Sequence, residues 1–148
     1  MIDIRLKPIS ISDIEWLDKT EYKSLPVERR EILVEDSEKC SCMGEFFRFF
    51  LIKADGKVVG VINVQGHGKD VVSVAPEIFT EYRGKGLAYE SLILAYALVK
   101  ENGFKQLIAG IREENIASQK LHLKLGFKYI SDSISKNGNK LKTYQKLL

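Results

Sequence analysis

A short glycine-containing segment between a strand-like run and a helix-like run constrains the fold more than any other part of the chain. The strand-like run covers residues 71–79, the segment reads Tyr82-Arg83-Gly84-Lys85-Gly86-Leu87-Ala88, and the helix-like run covers residues 87–100. Glycines at such a junction let the backbone approach a ligand closely. The first N–H groups of a helix have no partner within the helix, so they can bind an anion. With the positive charges of Arg83 and Lys85, the segment predicts a binding site for a pyrophosphate group.

Known phosphate-binding loops differ in the spacing of their glycines, and this spacing separates them. A Walker A loop requires G-x-x-x-x-G-K-[ST], which the chain lacks. A dinucleotide-binding G-x-G-x-x-G loop requires a third glycine where Tyr89 stands. The pattern [RQ]-x-x-G-x-[GA] is met by Arg83, Gly86 and Ala88. At these residues the chain resembles the GNAT superfamily of acetyl-CoA-dependent N-acetyltransferases.

A second segment, about thirty residues further along, carries the same resemblance. The run from Asn115 to Phe127 is similar to the N-x-x-[AS]…K-L-G-F segment of that superfamily, and Ser118 and Gly126 fill its other fixed positions. The resemblance covers about residues 58–130 well and the N-terminal third only loosely. The Asn-x-x-Ser form is closest to the subgroup that acetylates protein N-termini.

Composition narrows the class of protein. A chain of 148 residues predicts one domain, 1–148, with one core. The net charge of +3 is too small to indicate nucleic-acid binding. No apolar run is long enough to span a membrane, and the first residues lack a signal-peptide pattern, so we expect a cytoplasmic protein with neither a membrane nor a nucleic-acid partner. Cys40 and Cys42 are expected to be free thiols, and no metal site is expected.

Hydrophobic periodicity predicts a mixed α/β fold, and the resemblance implies that its strands form a single, mostly antiparallel sheet. We expect seven strands, at about residues 2–6, 46–52, 58–64, 71–79, 106–111, 127–133 and 141–147. About four helices flank them: one capped by Ser10 or Ser12, one over residues 26–37, one over 87–100 that is apolar nearly all round, and one from Asn115 to Gly126. Residues 40–44 are expected to form a loop.

Pro76 interrupts the fourth strand, and a proline cannot donate a hydrogen bond to a neighbouring strand. A bulge or a splayed edge is therefore expected at this point. In the GNAT superfamily a splay between two central strands admits the pantetheine arm of the coenzyme, and the resemblance implies the same arrangement here.

The resemblance also implies which residues bind acetyl-CoA. The backbone N–H groups of Gly84, Lys85, Gly86, Leu87 and Ala88, with the side chain of Arg83, would bind the pyrophosphate. Ile78 and Phe79 would pair their backbone with the pantetheine amides, although Phe79 is equally explained by core packing. Asn115 would hold the pantetheine region, act as an N-cap, or do both.

Acetyl transfer to an amine requires a base, because a lysine-type ammonium has a pKa of about 10.4. Glu77 is the candidate base, and its alternative is an exposed carboxylate on a strand. The N–H group of Ile78 or Phe79 is the candidate donor to the thioester oxygen.

Many relatives have a tyrosine acid four residues before the glycine of the Gly-Phe pair, where this chain has His122. His122 is a candidate acid, and its alternative is a residue on the helix surface. Ser118 is the rival acid, and Tyr129 and Tyr144 are further candidates.

The resulting hypothesis is an N-acetyltransferase that moves an acetyl group from acetyl-CoA to a small primary amine or a protein N-terminus by direct attack in a ternary complex. The alternatives are a non-catalytic acyl-CoA sensor or scaffold, and a protein-interaction module, which would not need the phosphate-binding segment. The sequence leaves the oligomeric state open between monomer and homodimer.

Overall fold

Eight strands form one mixed, mostly antiparallel sheet in the computed structural model, which describes residues 1–148. Its order is β1-β3-β4-β5-β6-β8-β7, with the short β2 paired to β3. The strands β1 to β8 span Ile4–Pro8, Ser41–Cys42, Glu45–Ala54, Lys57–His67, Val71–Ile78, Gln106–Arg112, Lys128–Ile134 and Lys140–Leu147. The seven expected strands are confirmed. The added strand, β2, lies where a loop was expected and pairs Ser41 with Phe46.

Three α-helices and three short 3-10 helices flank the sheet. The α-helices α1, α2 and α3 span Val27–Glu38, Leu87–Glu101 and Ile116–Lys124, and the 3-10 helices span Ile11–Lys19, Glu21–Ser24 and Thr80–Tyr82. All four expected helices are present, and the first of them is a 3-10 helix. None of the helices is both long enough and apolar enough to cross a bilayer.

Strand β3 explains why both faces of the sheet are covered. Its side chains alternate between faces, and all four central residues are buried. Phe50 and Ile52 pack in the cluster that includes Leu92 and Ala95 of α2, whereas Phe49 and Leu51 pack in a second cluster with residues of the first 3-10 helix and α1. The sheet therefore forms the middle of three layers.

The parallel pairing between β5 and β6 is only two residues long. Only Val71 and Val72 of β5 pair with β6, whereas β5 pairs with β4 along its whole length without a bulge. Alternate residues of an antiparallel strand bond to the same neighbour, and the N–H group of Phe79 donates to Val59 of β4 (2.8 Å). The nitrogen of Pro76 therefore faces away from β4, toward the gap where no strand needs its missing N–H group. The expected splay is confirmed, and a bulge in the β4–β5 pairing is absent.

Helix α2 is less enclosed than its composition suggested. Leu92, Ala95 and Val99 are completely buried, but Ile93 and Leu94 are 44% and 39% exposed. A helix that is apolar nearly all round is expected to be buried on several sides, and this expectation is wrong here, because only the stripe that faces the sheet is covered.

The guanidinium of Arg30, on α1, organises the segment that precedes this helix. It donates to the carbonyls of Leu25 (3.1 Å), Ile14 (3.3 Å) and Lys23 (2.9 Å), and it pairs with Asp18 (2.7 Å). A planar group with five donors can satisfy several carbonyls at once. Arg30 therefore fixes residues 11–25 against the second face of the sheet.

Gly60 allows β4 to approach the end of β5. A Cβ atom at this position would lie 2.4 Å from the carbonyl oxygen of Glu77.

We predict that Gly60→Ala lowers the free energy of unfolding by about 1–3 kcal/mol, because a backbone atom would have to move. Urea denaturation measures the change. Gly110→Ala is the matched control, since its Cβ would meet nothing closer than a leucine methyl at 4.0 Å. Equal losses in both variants would contradict the argument from close approach.

Candidate functional site

A cavity of about 470 Å³ lies where β5 ends, between the glycine-containing segment and α3. It brings together most of the residues that the sequence predicted. Those that line it are Glu77, Ile78, Arg83, Gly84, Gly86, Leu87, Ala88, Asn115, Ser118 and His122. Four of the predicted residues do not line the cavity: Phe79, Lys85 and the further acid candidates Tyr129 and Tyr144. Tyr89 and Lys124, which the sequence analysis did not identify, also line it, and the Lys124 ammonium lies 4.6 Å from the Tyr89 ring.

The start of α2 forms an anion cradle in this cavity. Gly84 and Gly86 adopt the left-handed conformation, with φ of 80° and 77°. The backbone N–H groups from Gly84 to Tyr89 have no acceptor in the protein, and the first helical bond runs from Glu90 to the Gly86 carbonyl (3.3 Å). Six consecutive donors at a helix N-terminus fit a diphosphate.

Phe79 is the clearest correction to the predicted binding residues. Its N–H group donates to Val59 (2.8 Å), and its carbonyl accepts from Tyr82 (2.9 Å). Its buried ring stacks on Trp16, with centroids 5.9 Å apart. The N–H group of Phe79 is therefore not available to pantetheine or to the thioester oxygen, so Phe79 is wrong as a donor to either, and core packing accounts for its ring.

Ile78 differs from Phe79 in the direction of its backbone N–H group. Because adjacent residues of a strand bond to opposite sides, the N–H group of Ile78 faces the splay. Its carbonyl accepts from Arg83 Nε (2.9 Å). This bond fixes the Arg83 side chain beside the cradle. Lys85 is exposed, with its ammonium 5.7 Å from the Tyr82 ring, so only its backbone N–H group belongs to the cradle.

A second cavity, of about 510 Å³, opens on the side of the splay where residues 20–25 lie. Its own lining includes Tyr22, Asn63, Gly110 and Arg112. The two cavities share a set of lining residues at the splay: Pro76, Glu77, Arg83, Asn115 and Ser118. The splay therefore connects a cavity with an anion cradle to a cavity that lies across the sheet.

Glu77 lies at this connection and is held in position. Both of its carboxylate oxygens accept from the backbone N–H group of Glu21, at 3.1 Å each, and the residue is half-buried. Its interpretation as a freely exposed carboxylate is wrong. The contact also attaches the 3-10 helix Glu21–Ser24 to β5.

Tyr22 and Asn63 form a polar pair in the second cavity that the sequence analysis missed. The Asn63 side-chain amide donates to the Tyr22 hydroxyl oxygen (2.8 Å). Burial, the charge of Glu21 and that of Glu77 together raise the pKa of Tyr22 to about 12, against a smaller opposite effect of the Asn63 bond. The hydroxyl is therefore protonated and free to donate. The available signal was Asn63 itself, a polar residue in the otherwise apolar run of residues 58–64.

His122 is buried, at 6% exposure, so its interpretation as a surface residue is wrong. Its Nδ1 lies 2.8 Å from the Ser118 carbonyl and 3.4 Å from Ser118 Oγ. A carbonyl can only accept, so Nδ1 carries the proton and the neutral ring keeps a lone pair on Nε2. Burial holds the pKa of His122 below its usual value of 6.5, and the bond to the Ser118 carbonyl offsets part of this effect. The one N–H group of the neutral ring is already bonded to the Ser118 carbonyl, so the ring has none left to donate into the cavity.

Asn115 and Ser118 open α3 at the splay. The Asn115 side-chain oxygen accepts from the Ser118 N–H group (3.1 Å), so its role as an N-cap is confirmed. Its amide nitrogen has no protein partner. Tyr129 and Tyr144 line neither cavity, and their hydroxyls donate to Asp132 (2.6 Å) and Gln119 (3.4 Å).

Comparison with known proteins agrees with this geometry. Residues 5–128 match the family described as the acetyltransferase (GNAT) domain. An 86-residue stretch, 55% of this chain, is 33% identical to the N-acetylaspartate synthetase of Xenopus tropicalis. The match spans only 31% of the length of that curated relative.

Solved structures share the fold at low sequence identity. A chimera of spermidine N-acetyltransferase SpeG from Vibrio cholerae and hSSAT is 17% identical, with a TM-score of 0.80 over 97% of this chain and 94% of that one. A Salmonella typhimurium acetyl transferase that modifies the N-terminal serine of ribosomal protein L7/L12 is 13% identical, with a TM-score of 0.77 over 100% and 99%.

The lowered pKa of His122 predicts a loss of stability in acid. Between the folded and unfolded pKa values the unfolded chain binds more protons, so the contribution is complete above pH 6.5 and is lost as the pH falls. We expect the unfolding free energy, measured in urea at pH 7.5 and 5.0, to change less in His122→Phe than in the wild type. His67→Gln, at an exposed histidine, is the control and should keep the wild-type change. An unaltered pH dependence in His122→Phe would contradict the assignment.

Proposed function

The chain belongs to the acetyltransferase (GNAT) family, and on this premise we propose that it transfers an acetyl group from acetyl-CoA to a primary amine by direct attack in a ternary complex. The observation that carries the proposal is the meeting of two cavities at the splay between β5 and β6. One cavity contains the anion cradle, and the other leads to a carboxylate held at the connection. This arrangement suits two substrates that must react across the sheet.

The chain's own residues fit coenzyme A in the first cavity. The free N–H groups of residues 84–89 would bind the diphosphate, supported by the Arg83 guanidinium. The free side-chain amide of Asn115 would bind the pantetheine arm, and the N–H group of Ile78 would lie at the acetyl end of the coenzyme. Tyr89 and Lys124 lie at the same cavity and supply a flat face and a positive charge. Acetyl-CoA supplies an activated acetyl group as a thioester.

Glu77 is the proposed base. Its carboxylate takes the proton of the amine, directly or through one water, when the nitrogen attacks the acetyl carbon. Its position in the cleft supports a catalytic protein over a non-catalytic acyl-CoA sensor, because a sensor needs no carboxylate there. The N–H group of Ile78 stabilises the negative charge that develops on the acetyl oxygen.

Ser118 is the proposed donor to the leaving sulfur. The His122 Nδ1–H group points at the Ser118 oxygen atoms, so the hydroxyl proton of Ser118 is free to turn into the cleft. A thiol has a pKa of about 8.5, so a hydrogen bond is enough to help it leave. His122 then acts as the buried support of Ser118.

The acceptor is an amine whose identity the family leaves open. The relatives named above are described as acting on a polyamine, on a protein N-terminus or in the synthesis of N-acetylaspartate. The Asn115-x-x-Ser118 form supports the subgroup that acetylates protein N-termini, and the second cavity has space for a small amine. We further propose that the protein is a monomer or a homodimer, that it is cytoplasmic, and that residues 1–148 form a single domain. The single sheet that includes both β1 and β8 supports the last of these.

Binding of coenzyme A through the cradle is tested at Gly86. Gly86→Asp places a negative charge beside the diphosphate, and two like charges about 4 Å apart repel by roughly 1–4 kcal/mol in water and near a protein surface. We expect calorimetry to show an affinity for coenzyme A at least about 10-fold weaker. Gly86→Ala is the matched control, because both variants put a Cβ atom at φ 77°, and a Cβ atom there meets nothing within 4 Å. If the two variants bind equally well, the diphosphate is not at this position.

The role of Glu77 is tested by Glu77→Gln, which keeps an oxygen to accept from Glu21 but cannot take a proton. We expect kcat at saturating substrates to fall by about 10²-fold or more while the affinity for coenzyme A stays unchanged. Glu81→Gln, on the exposed segment after β5, is the control and should keep the wild-type rate. A wild-type kcat in Glu77→Gln would place the base elsewhere.

A further inference from the structure

The second cavity has charges of opposite sign on its two sides. The strands that flank the splay contribute one charge each: Glu77 lies on β5 and Arg112 is the last residue of β6. Glu21, beside Glu77, adds a second carboxylate to the first side. An acceptor that spans the cavity from β5 to β6 would therefore meet a carboxylate at one end and a guanidinium at the other.

Arg112 has no partner within the protein. Its side chain forms no ion pair and no hydrogen bond, and only its backbone carbonyl is used, by Asn115 and Gln119. By contrast, Arg83, which also lines this cavity, uses its Nε on the Ile78 carbonyl, and Arg30 is committed to three carbonyls and Asp18. An arginine in a substrate-sized cavity with all five donors available suits a planar anion, because its fork matches a carboxylate in two contacts.

Gly110 leaves space in front of this arginine. Residues 110 and 112 lie on the same face of β6, since side chains alternate along a strand. A Cβ atom at Gly110 would meet only a leucine methyl, at 4.0 Å. The space between the two charged sides of the cavity is therefore not filled by a side chain at Gly110. The neutral Tyr22 hydroxyl and the Asn63 amide line the same cavity.

We propose that the acceptor is a small amino acid, with its amine directed to Glu77 and its carboxylate bound by Arg112. This inference rests on the proposed acetyl transfer and names its substrate class. A polyamine would place a second cation near Arg112, where like charges repel. A peptide N-terminus would bring no carboxylate to Arg112 unless an acidic side chain followed it.

The test compares matched amines as acceptors for the full chain with acetyl-CoA. The panel holds the common free amino acids, their carboxamides, spermidine and short peptides. The carboxamides keep the amine and remove only the negative charge. We expect kcat/KM for the best amino acid to exceed that of its carboxamide by roughly 10-fold or more, the effect of one hydrogen-bonded charge. This holds although the carboxamide has more free amine at neutral pH.

Variants of Arg112 test whether this residue causes the preference for an amino acid over its carboxamide. Arg112→Gln should raise KM for the amino acid by roughly 10-fold or more, leave KM for acetyl-CoA unchanged and remove the preference over the carboxamide. Arg112→Lys should restore part of it, because the charge returns without the fork. Arg29→Gln is the matched control, since Arg29 is also exposed and unpaired but lies on α1, away from both cavities.

The outcomes separate this inference from the proposed function. Faster turnover of carboxamides, spermidine or peptides, with no effect of Arg112→Gln, overturns the amino acid assignment and leaves acetyl transfer standing. Acetylation of no amine by a protein that binds coenzyme A normally in calorimetry overturns acetyl transfer itself, and the amino acid assignment with it.

Discussion

The separation of β5 from β6 is the constraint on which the rest of the site depends. Two residues of parallel pairing hold the strands together at one end, and beyond Val72 they diverge. Unpaired backbone groups inside a protein are costly unless a ligand or solvent satisfies them. Pro76 reduces this cost because it brings no N–H group to the gap. The opened strands in turn connect the cavity with the anion cradle to the cavity on the other face.

The wall across the sheet from the cradle is built from the two 3-10 helices Ile11–Lys19 and Glu21–Ser24, and polar contacts hold them in place. Arg30 fixes the carbonyls of residues 14, 23 and 25, and Glu77 accepts from the N–H group of Glu21. Trp16 stacks on Phe79, which links the same segment to the end of β5. The proposed base therefore also holds this segment, which forms one wall of the second cavity, against β5. A substitution of Glu77 therefore tests catalysis only if the new side chain still accepts the hydrogen bond from the Glu21 N–H group.

The residues at the start of α3 divide two tasks between them. Asn115 caps the helix with its oxygen and keeps its amide nitrogen free, and His122 uses Nδ1 on the Ser118 carbonyl. Burial keeps this histidine neutral, so it orders the helix turn that presents Ser118. In the proposed mechanism His122 therefore supports Ser118, whose hydroxyl oxygen lies 3.4 Å from His122 Nδ1.

The sequence determined the features that depend on local interactions. Strands β3 and β4, the glycine-containing start of α2, the Asn115 cap and strands β7 and β8 all rest on residues close together in the chain, so periodicity and spacing were enough. Pro76 and the two motifs also placed the splay and most residues of the first cavity.

Only the tertiary structure decided the contacts between distant segments. Tyr22 meets Asn63 across 41 positions, and Glu21 meets Glu77 across 56. The fold also buried His122 and bonded both backbone groups of Phe79. It placed the unpaired Arg112 across the splay from Glu77. Periodicity reports which face of an element is apolar, but not which distant segment covers that face. The burial that sets a pKa, and the charges that face one another across a cavity, arise only when those segments pack.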